Sequence, residues 1–494
     1  MNVNKVSRIF LLVLSSLICC CSTKPGDITP NKVRPTRQQI DYQKMELIGF
    51  VHFTVNTFTD REWGYGDESP DLFAPTALDV NQWATAAKMV GMRQLILTAK
   101  HHDGFCLWPS DYTEHSVKNS PYMNGQGDVV RKFVDACRIN GLKVGLYLSP
   151  WDRNHAEYGR EDYISYYRNQ LTELLTNYGE ISEIWFDGAN GGTGFYGGAR
   201  EERRIDRSTY YRWEETFKLV KRLQPDILIF SDAGPDIRWI GNENGFAGET
   251  NWSLLSVTDM VIGGADSYYL NSGDPEGTSW VVGECDVSIR PGWFYHEHED
   301  TLVKTPQQLV DIYYKSVGRN GVLLLNIPPD RRGLFHENDI DALQKFREII
   351  DETFAHNLAS ARRVTTSNYR LNHKKFSPQN IVDDDEESYW ATDDGLMQAT
   401  LEIDLEEHVT FDRIMIQEPI RFGQRISEFV IESLVEDEWI QIARGTTIGY
   451  KRLLRVNPVE ASKVRIKIIK SNNIPALSNF GLFKSSQKEA VETE

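Results

Sequence analysis

Carboxylate and imidazole side chains follow directly after several short apolar runs of this sequence. The run ISEIWFDGANGG, residues 181–192, ends on Asp187 and then breaks into glycines. A charge at the end of a buried strand is costly unless it is paired or used in chemistry. Neighbouring runs end on similar residues, namely His52, His101, His102, Asp103, Asp152 and Asp232. Two carboxylates flanking an anomeric carbon, with imidazoles and Trp to hold a sugar, indicate glycoside hydrolysis.

Other hydrolytic chemistries have less support. No Ser or Cys lies in a nucleophile-elbow sequence, which argues against acyl transfer. His101, His102 and Asp103 have the side chains of metal ligands, but adjacent strand residues point to opposite faces and the H-E-x-x-H spacing is absent. We interpret the acidic run at 383–385 as a solvated turn rather than a calcium site. The sequence therefore predicts no metal and no cofactor.

The elements that must position these residues alternate along the chain. Apolar strand-like runs are separated by amphipathic helix-like segments such as GDVVRKFVDACRING, many of which end at Gly or Pro. No G-x-G-x-x-G follows the first run, and no GK[ST] motif occurs. The absence of these motifs argues against a nucleotide-binding fold. Seven runs are clear: IGFVHF, RQLILTAK, LKVGLYLSP, ISEIWFDG, DILIFSD, SWVVGECD and NGVLLLNIPP. This alternation predicts an α/β fold, a (β/α)8-like TIM barrel with its site at the carboxyl ends of the strands.

Composition narrows the choice of partner. The chain has 494 residues, with 54 basic and 71 acidic side chains and a net charge of −17. A nucleic-acid backbone would be repelled, so no nucleic-acid partner is expected. The sequence also contains 12 Trp and 21 Tyr residues. Their flat apolar faces with polar edges suit sugar rings, although most aromatic residues belong to ordinary cores.

The N-terminus has the features of an export signal. Lys5 and Arg8 precede the apolar run IFLLVLSSLI, which is too short for a mature membrane span. The following LICCCST resembles a bacterial lipoprotein signal, with Cys20 or Cys21 as the lipid-modified residue; plain secretion is the alternative. We predict a signal peptide at 1–21, a tether at 22–41 and an exported protein in the periplasm or on the outer membrane of a bacterium. Any membrane contact would be made through this anchor alone.

Two features separate the C-terminal part from the barrel. FHENDIDALQKFREIIDETFAHNLA predicts a helix that closes the barrel, for which we expect the bounds 42–356. After it, short runs with period-two patterning predict an antiparallel β-sandwich at 357–486, followed by a tail at 487–494. IVDDDEESYWATDD with LEIDL resembles the discoidin-like, coagulation factor 5/8 type module. Such a module binds sugar in some proteins and only braces the barrel in others.

Eight blocks, in order between Tyr42 and Phe354, resemble the α-L-fucosidases of glycoside hydrolase family 29. They are GFVHFTVNTF, EWGYGDESP, LILTAKHHDGFCLW, GLYLSPWD, IWFDGANGG, PDIRWIGNENG, RPGWFYH and NGVLLLNIPPDRRG. The resemblance implies a retaining mechanism on an often irregular (β/α)8-like barrel. The GNE and RPGWFYH blocks are similar to the branch that acts on α-1,3/1,4-linked fucose of Lewis-type glycans. A fucosylated oligosaccharide or glycoconjugate is then the expected substrate.

The resemblance also implies roles for single residues. Asp187 in WFDG matches the nucleophile, and Glu243 in GNENG matches the acid/base of the narrow-specificity branch, with Glu249 in GET as its rival. The expected substrate-binding residues are His52, Glu62, Trp63, His101, His102, Tyr147, Trp151, Arg290 and Trp293. Core packing is an alternative for Tyr147, and an ion pair with a carboxylate is one for Arg290. Two other functions stay open: a catalytically silent, lectin-like fucose-binding surface protein, and a hydrolase of another glycoside.

Overall fold

The computed structural model describes residues 26–258 and 260–489. The predicted signal peptide, with Cys20 and Cys21, lies outside the described residues, so the lipid anchor stays a prediction. Within the described part of the chain, no helix is both long enough and apolar enough to cross a membrane.

Eight parallel strands close into a barrel, as the sequence predicted. Each strand pairs with its neighbours in the sequence, and the last strand pairs with the first, giving the order β1-β8-β7-β6-β5-β4-β3-β2. Because all carboxyl ends of parallel strands meet at one rim, the residues that follow them converge there. The strands are β1 Leu47–Val51, β2 Gln94–Lys100, β3 Lys143–Leu148, β4 Glu183–Trp185, β5 Leu228–Ser231, β6 Ile237–Trp239, β7 Val282–Ser288 and β8 Val322–Asn326.

The strand that sequence reasoning missed is β6. It has three residues and follows β5 without an intervening helix. Its central Arg238 is fully buried and donates hydrogen bonds to the carbonyl oxygens of Leu270 at 2.8 Å and Trp252 at 2.9 Å. A buried arginine in so short a strand leaves no apolar run to detect, and the βα alternation is interrupted at this point.

Helices surround the barrel and bury their apolar faces against it. The helix α4, for example, begins after Asp128, whose carboxylate accepts from the amide of Arg131 at 2.8 Å, and ends at Gly141 with φ of 74°. The predicted closing helix is present as the last of the set. The helices are α1 Arg37–Gln43, α2 Val55–Thr59, α3 Val80–Met89, α4 Val129–Asn140, α5 Asp162–Asn177, α6 Trp213–Leu223, α7 Ser267–Ser272, α8 Pro306–Lys315 and α9 Glu337–Phe354.

The predicted tether is wrong over its described part, residues 26–41. Ile28 is buried, and its amide donates to the Tyr389 hydroxyl at 3.3 Å. The amide of Asn31 donates to the carbonyl of Phe422 at 2.8 Å. The helix α1, which starts within the predicted tether, covers the amino end of the barrel, where the Tyr42 hydroxyl donates to Glu284. Polar and Pro-rich composition suggested a free linker, but the few apolar side chains of this segment are packed against the body.

The C-terminal unit is an antiparallel β-sheet domain, consistent with the predicted β-sandwich. Its main sheet has the order β9-β10-β13-β11-β12, and β14 pairs with β10. Inward-facing residues alternate with outward-facing ones along β10 between Ala399 and Leu405, the period-two pattern seen in the sequence. The strands are β9 Arg363–Thr366, β10 Ala399–Gln417, β11 Ile426–Val435, β12 Glu438–Gly445, β13 Arg452–Ser471 and β14 Asn479–Phe483.

Candidate active site

A cavity of ≈ 210 Å³ opens at the carboxyl ends of the barrel strands. It is smaller than the roughly 300 to 1,000 Å³ of drug-sized sites, which suits a single sugar ring. Three larger cavities, of ≈ 650, ≈ 560 and ≈ 480 Å³, lie elsewhere, and no described residue that lines them is His. The lining residues of the small cavity are Phe50, His52, Glu62, Trp63, His101, His102, Tyr147, Trp185, Asp187, Ala189, Glu243, Asp286 and Trp293.

Asp187 is held at the floor of this cavity, two residues beyond the end of β4. Its Oδ1 accepts from the amide of Ala189 at 2.6 Å, and its Oδ2 accepts from the Tyr147 hydroxyl at 3.0 Å. The Nε2 of His102 lies 3.9 Å from the same Oδ2. The side chain keeps 24% of its surface exposed. A carboxylate fixed on two sides but open toward the cavity is placed to attack a bound molecule.

Glu243 lies at the open end of the same cavity, on the loop that follows β6. The residue as a whole is exposed, while its Oε2 accepts from the indole Nε1 of Trp293 at 3.2 Å. Partial burial of the carboxyl group raises the pKa of Glu243, the Trp293 hydrogen bond partly opposes this, and the charges of Asp187 and Glu62 raise it further. A raised pKa favours the protonated form that a general acid needs.

The buried imidazoles of His52, His101 and His102 line the part of the cavity where a sugar ring would bind. Burial lowers the pKa of His52 to about 3 and that of His102 to about 4, and burial with the two neighbouring imidazoles lowers the pKa of His101 far below its usual value. All three rings are therefore neutral at ordinary pH and can both donate and accept hydrogen bonds.

Fixed neighbours set the tautomers of two of these rings. The Nδ1 of His52 lies 2.8 Å from the amide oxygen of Asn326, which can only accept. The Nδ1 of His102 lies 2.7 Å from the hydroxyl of Ser149, whose own proton is donated to the carbonyl of Trp151 at 2.6 Å. Both Nδ1 atoms must therefore donate, which leaves each Nε2 as an acceptor for a ligand hydroxyl.

Two loops form the outer wall. Trp63 follows α2 and has 51% of its surface exposed, with its ring 5.3 Å from that of His102 in an edge arrangement. Trp293 comes from the loop after β7, and its ring lies 5.3 Å from His52. Glu62 joins the two loops, because its carboxylate accepts from the amides of Trp293 at 2.8 Å and Phe294 at 3.1 Å. The wall is thus aromatic and braced by one carboxylate.

Two expected ligand contacts do not reach the cavity. Arg290 is fully buried; its guanidinium lies 3.0 Å from Asp339 and 2.8 Å from Asp300, so the ion-pair alternative is correct. Trp151 packs behind Trp63, at 5.5 Å between ring centroids, rather than lining the cavity. Trp151 therefore supports Trp63 from behind, whereas Arg290 joins the loop after β7 to α9.

Glu249, the rival acid/base, lies away from the cavity at the junction with the C-terminal domain. Its carboxylate pairs with Arg452 at 2.5 Å and with Arg319, while its carbonyl oxygen accepts from the Thr446 hydroxyl at 3.0 Å. Both carboxylate oxygens of Glu249 are therefore engaged by arginines, and the residue does not line the cavity. Its position therefore favours Glu243.

Sequence reasoning missed Asp286, Phe50 and Trp185 in the cavity lining. Asp286 lies on β7 and is 4% exposed, and none of the described residues donates a hydrogen bond to its Oδ1. Burial, reinforced by the charges of Glu243 and Glu284, raises its pKa well above the usual value. Its only sequence signal was its place at the end of the run SWVVGECD, where a carboxylate closes an apolar strand like Asp187 does.

One group of described residues has side chains of the kind that bind metal ions. Ligand atoms of Asp60, His296 and His298 lie within 4.8 Å of one another. However, both ring nitrogens of His296 already lie 2.7 Å from a carboxylate oxygen, one of Asp60 and one of Glu62. That arrangement satisfies a protonated ring without an ion, so we assign no metal there.

The family model described as Alpha-L-fucosidase matches residues 33–351, and the F5/8 type C domain model matches residues 363–480. Alpha-L-fucosidase 1 of Arabidopsis thaliana is 44% identical over 454 residues, covering 91% of this chain and 87% of that protein.

Two solved structures are also similar. A glycoside hydrolase 29 family member from an unknown rumen bacterium has a TM-score of 0.83 and 45% identity, covering 93% of this chain and 78% of that one. A Ruminococcus gnavus family 29 fucosidase in complex with fucose has a TM-score of 0.86 and 34% identity, covering 95% of this chain and 98% of that one. The likeness thus extends over the barrel and the C-terminal domain together.

Proposed function

Because the chain belongs to glycoside hydrolase family 29 and is an α-L-fucosidase, we propose that it cleaves α-1,3/1,4-linked fucose from Lewis-type glycans with retention of configuration. The observation that carries this proposal is that Asp187 and Glu243 line one sugar-sized cavity, with the Asp187 side chain mostly buried and Glu243 exposed. Asp187 lies at the floor and Glu243 at the mouth, where the remainder of a glycan would lie.

Asp187 is the nucleophile in this mechanism. It attacks the anomeric carbon of fucose and forms a covalent fucosyl-enzyme, while the bond to the leaving oxygen breaks. Its Oδ1 is engaged by the Ala189 amide and its Oδ2 by the Tyr147 hydroxyl, so the carboxylate does not have to turn before attack. The Tyr147 bond also offsets charge on the carboxylate when the intermediate breaks down.

Glu243 is the acid and then the base. In the first step it donates its proton to the leaving oxygen, and in the second it removes a proton from the attacking water. The raised pKa given by partial burial and by the neighbouring carboxylates supports the first task. Once the leaving sugar has departed and Asp187 has become an ester, one of those neighbouring charges is gone. The pKa of Glu243 then falls, which favours the base.

The neutral imidazoles hold the fucose ring. With Nδ1 of His52 and His102 occupied, each Nε2 accepts from a fucose hydroxyl, and these contacts fix which carbon faces Asp187. Trp63 and Trp293 form the surface on which the next sugar packs. An aromatic wall beside the fucose favours branched Lewis glycans, whose additional sugar can pack on it, over fucosides without such a sugar.

A substrate panel tests this proposal. We expect fucose release from Lewis x and Lewis a oligosaccharides, with kcat/KM at least about 100-fold lower for 2′-fucosyllactose and for an aryl fucoside. Free fucose is measured for each substrate with the same soluble preparation. Equal rates on all four substrates would refute the linkage preference but not the activity. Binding of Lewis glycans without release from any substrate would favour the lectin-like alternative.

A further inference from the structure

His296 lies between two carboxylates at the edge of the site. Its Nδ1 is 2.7 Å from Asp60 Oδ1, and its Nε2 is 2.7 Å from Glu62 Oε1. The side chain is only 8% exposed. Asp60 and Glu62 belong to the segment after α2, whereas His296 belongs to the loop after β7. The ring therefore connects the two segments that carry the outer wall of the cavity.

The connection continues to the reacting groups. Glu62 accepts from the amides of Trp293 and Phe294, and the Trp293 indole donates to Glu243. Trp63 is the next residue after Glu62 and forms the opposite part of the wall. A shift of Glu62 would therefore move both aromatic rings and the donor that Glu243 uses.

The geometry also specifies a charge on the ring. Carboxylate oxygens only accept hydrogen bonds, and a neutral imidazole has a single N–H, so both contacts are made only when the ring is protonated. The groups that face His296 are Asp60, Glu62, Glu299 and, at 5.4 Å between ring centroids, His298; Arg331 acts on Asp60. Three carboxylates against one further imidazole leave the surroundings of the ring predominantly negative.

We propose that protonated His296 is a positioning residue, which locks the wall formed by Trp63 and Trp293 through Glu62 and so supports turnover of oligosaccharides. This inference rests on the proposed function. Loss of the ring proton leaves a lone pair facing one carboxylate, and one of the two links breaks. The lock is then released, although His296 itself touches neither the fucose nor the reacting bond.

The direction of the pH effect follows from the contacts. Burial alone lowers the pKa of His296, but the bonds to Asp60 and Glu62 and the charge of Glu299 outweigh it, so the net pKa lies above the ordinary value. A group with a raised pKa contributes its stabilisation fully below the ordinary pKa near 6.5, and the contribution is lost as pH rises through the raised value. The lock therefore acts at acidic and neutral pH.

The test compares His296→Gln with His298→Gln, a control two residues away that is exposed and has no bond to Glu62. Glutamine cannot donate from two opposite edges, so it loses one charge-assisted bond. We expect the ratio of kcat/KM for Lewis x, His296→Gln over His298→Gln, to be about 0.1 at pH 6. The ratio should rise toward 1 at alkaline pH, because His296 of the control protein then loses its proton and one of its two carboxylate contacts. Because the Trp293 bond to Glu243 belongs to the same connection, the full pH profile of each variant is measured and the titration of Glu243 is fitted separately for each.

Two outcomes would overturn the inference: a ratio near 1 at every pH, or a lowered ratio that does not change with pH, as a merely structural role would give. If His296→Gln does not fold, Asp60→Asn is compared with the same control. Asparagine at position 60 keeps a hydrogen-bond acceptor for His296 but removes a negative charge. The pH at which kcat/KM changes should therefore be lower in this variant. An unchanged transition pH would contradict the proposed role of protonated His296. Absence of fucose release from Lewis glycans by the unaltered protein refutes the proposed function instead, and the ratio is then measured on whichever fucoside it cleaves.

Discussion

Replacing Asp187 with Ala should lower kcat/KM for a Lewis x substrate by at least about 10⁴-fold, because the variant has no group to form the covalent intermediate. The fold should persist. Asp187 keeps a quarter of its surface exposed, and its bonds to Ala189 and Tyr147 lie at the end of β4 rather than in the core. Thermal unfolding and binding of free fucose distinguish loss of chemistry from loss of structure.

The matched control is Asp232→Asn. Asp232 follows β5 on the same rim and accepts from the amide of Gly263 at 2.6 Å, but it does not line the cavity. It should therefore keep activity within about tenfold, as ordinary substitutions outside a site do. Added azide should attack the Asp187→Ala complex from the vacated side and give a fucosyl azide of inverted configuration. Near-normal turnover by Asp187→Ala would end its assignment as the nucleophile.

Glu243→Ala has the second-largest expected effect, a loss of roughly 10² to 10⁴-fold in kcat/KM for glycan substrates. The protonated carboxyl group that assists departure of the leaving sugar is absent, and so is the base that activates water. Azide needs no base, so with α-fucosyl fluoride, whose fluoride leaves without a proton from Glu243, it should restore turnover and yield a fucosyl azide with the configuration of the substrate. The measurement is the rate with and without azide, together with the anomeric configuration of the product by NMR.

Glu249→Ala is the control for this experiment, because Glu249 is the other carboxylate of the same segment. It pairs with Arg319 and Arg452 at the junction of the two domains, so its loss should lower thermal stability while activity stays within a few-fold of normal. Azide should have no effect on this variant. Rescue of Glu249→Ala together with an unresponsive Glu243→Ala would reverse the assignment.

Most barrel strands and several site residues could be predicted because the apolar runs of the strands end at the residues that form the site. Seven strands appear as apolar runs, and a side chain that ends such a run lies near the rim of a parallel barrel, although Asp152, which pairs with buried Lys100, and Asp232 do not line the cavity. His52, His101, His102 and Asp187 were found in this way, and all four line one cavity. Trp63 and Trp293 came from matched motifs rather than from a pattern, since nothing in their neighbours shows which way a loop tryptophan points.

The remaining features depend on contacts between distant parts of the chain. Arg290 lies in a site motif, but its partner Asp339 is on α9, and only the fold brings them within 3.0 Å. The strand β6 is centred on the buried Arg238, whose partners follow it in the chain. Residues 26–36 have a linker-like composition, yet Ile28 is buried against the C-terminal domain. Composition reports average polarity and carries no information about such single contacts.

The most direct test of the central claim is mechanism-based labelling with a 2-deoxy-2-fluoro-fucosyl fluoride. The C2 fluorine slows both steps while the fluoride leaves readily, so a covalent fucosyl-enzyme accumulates. We predict one added deoxyfluorofucosyl group on the tryptic peptide spanning 169–200, which fragmentation mass spectrometry should locate on Asp187. A label on any other residue, or hydrolysis that first releases the inverted anomer without any label, would contradict the account.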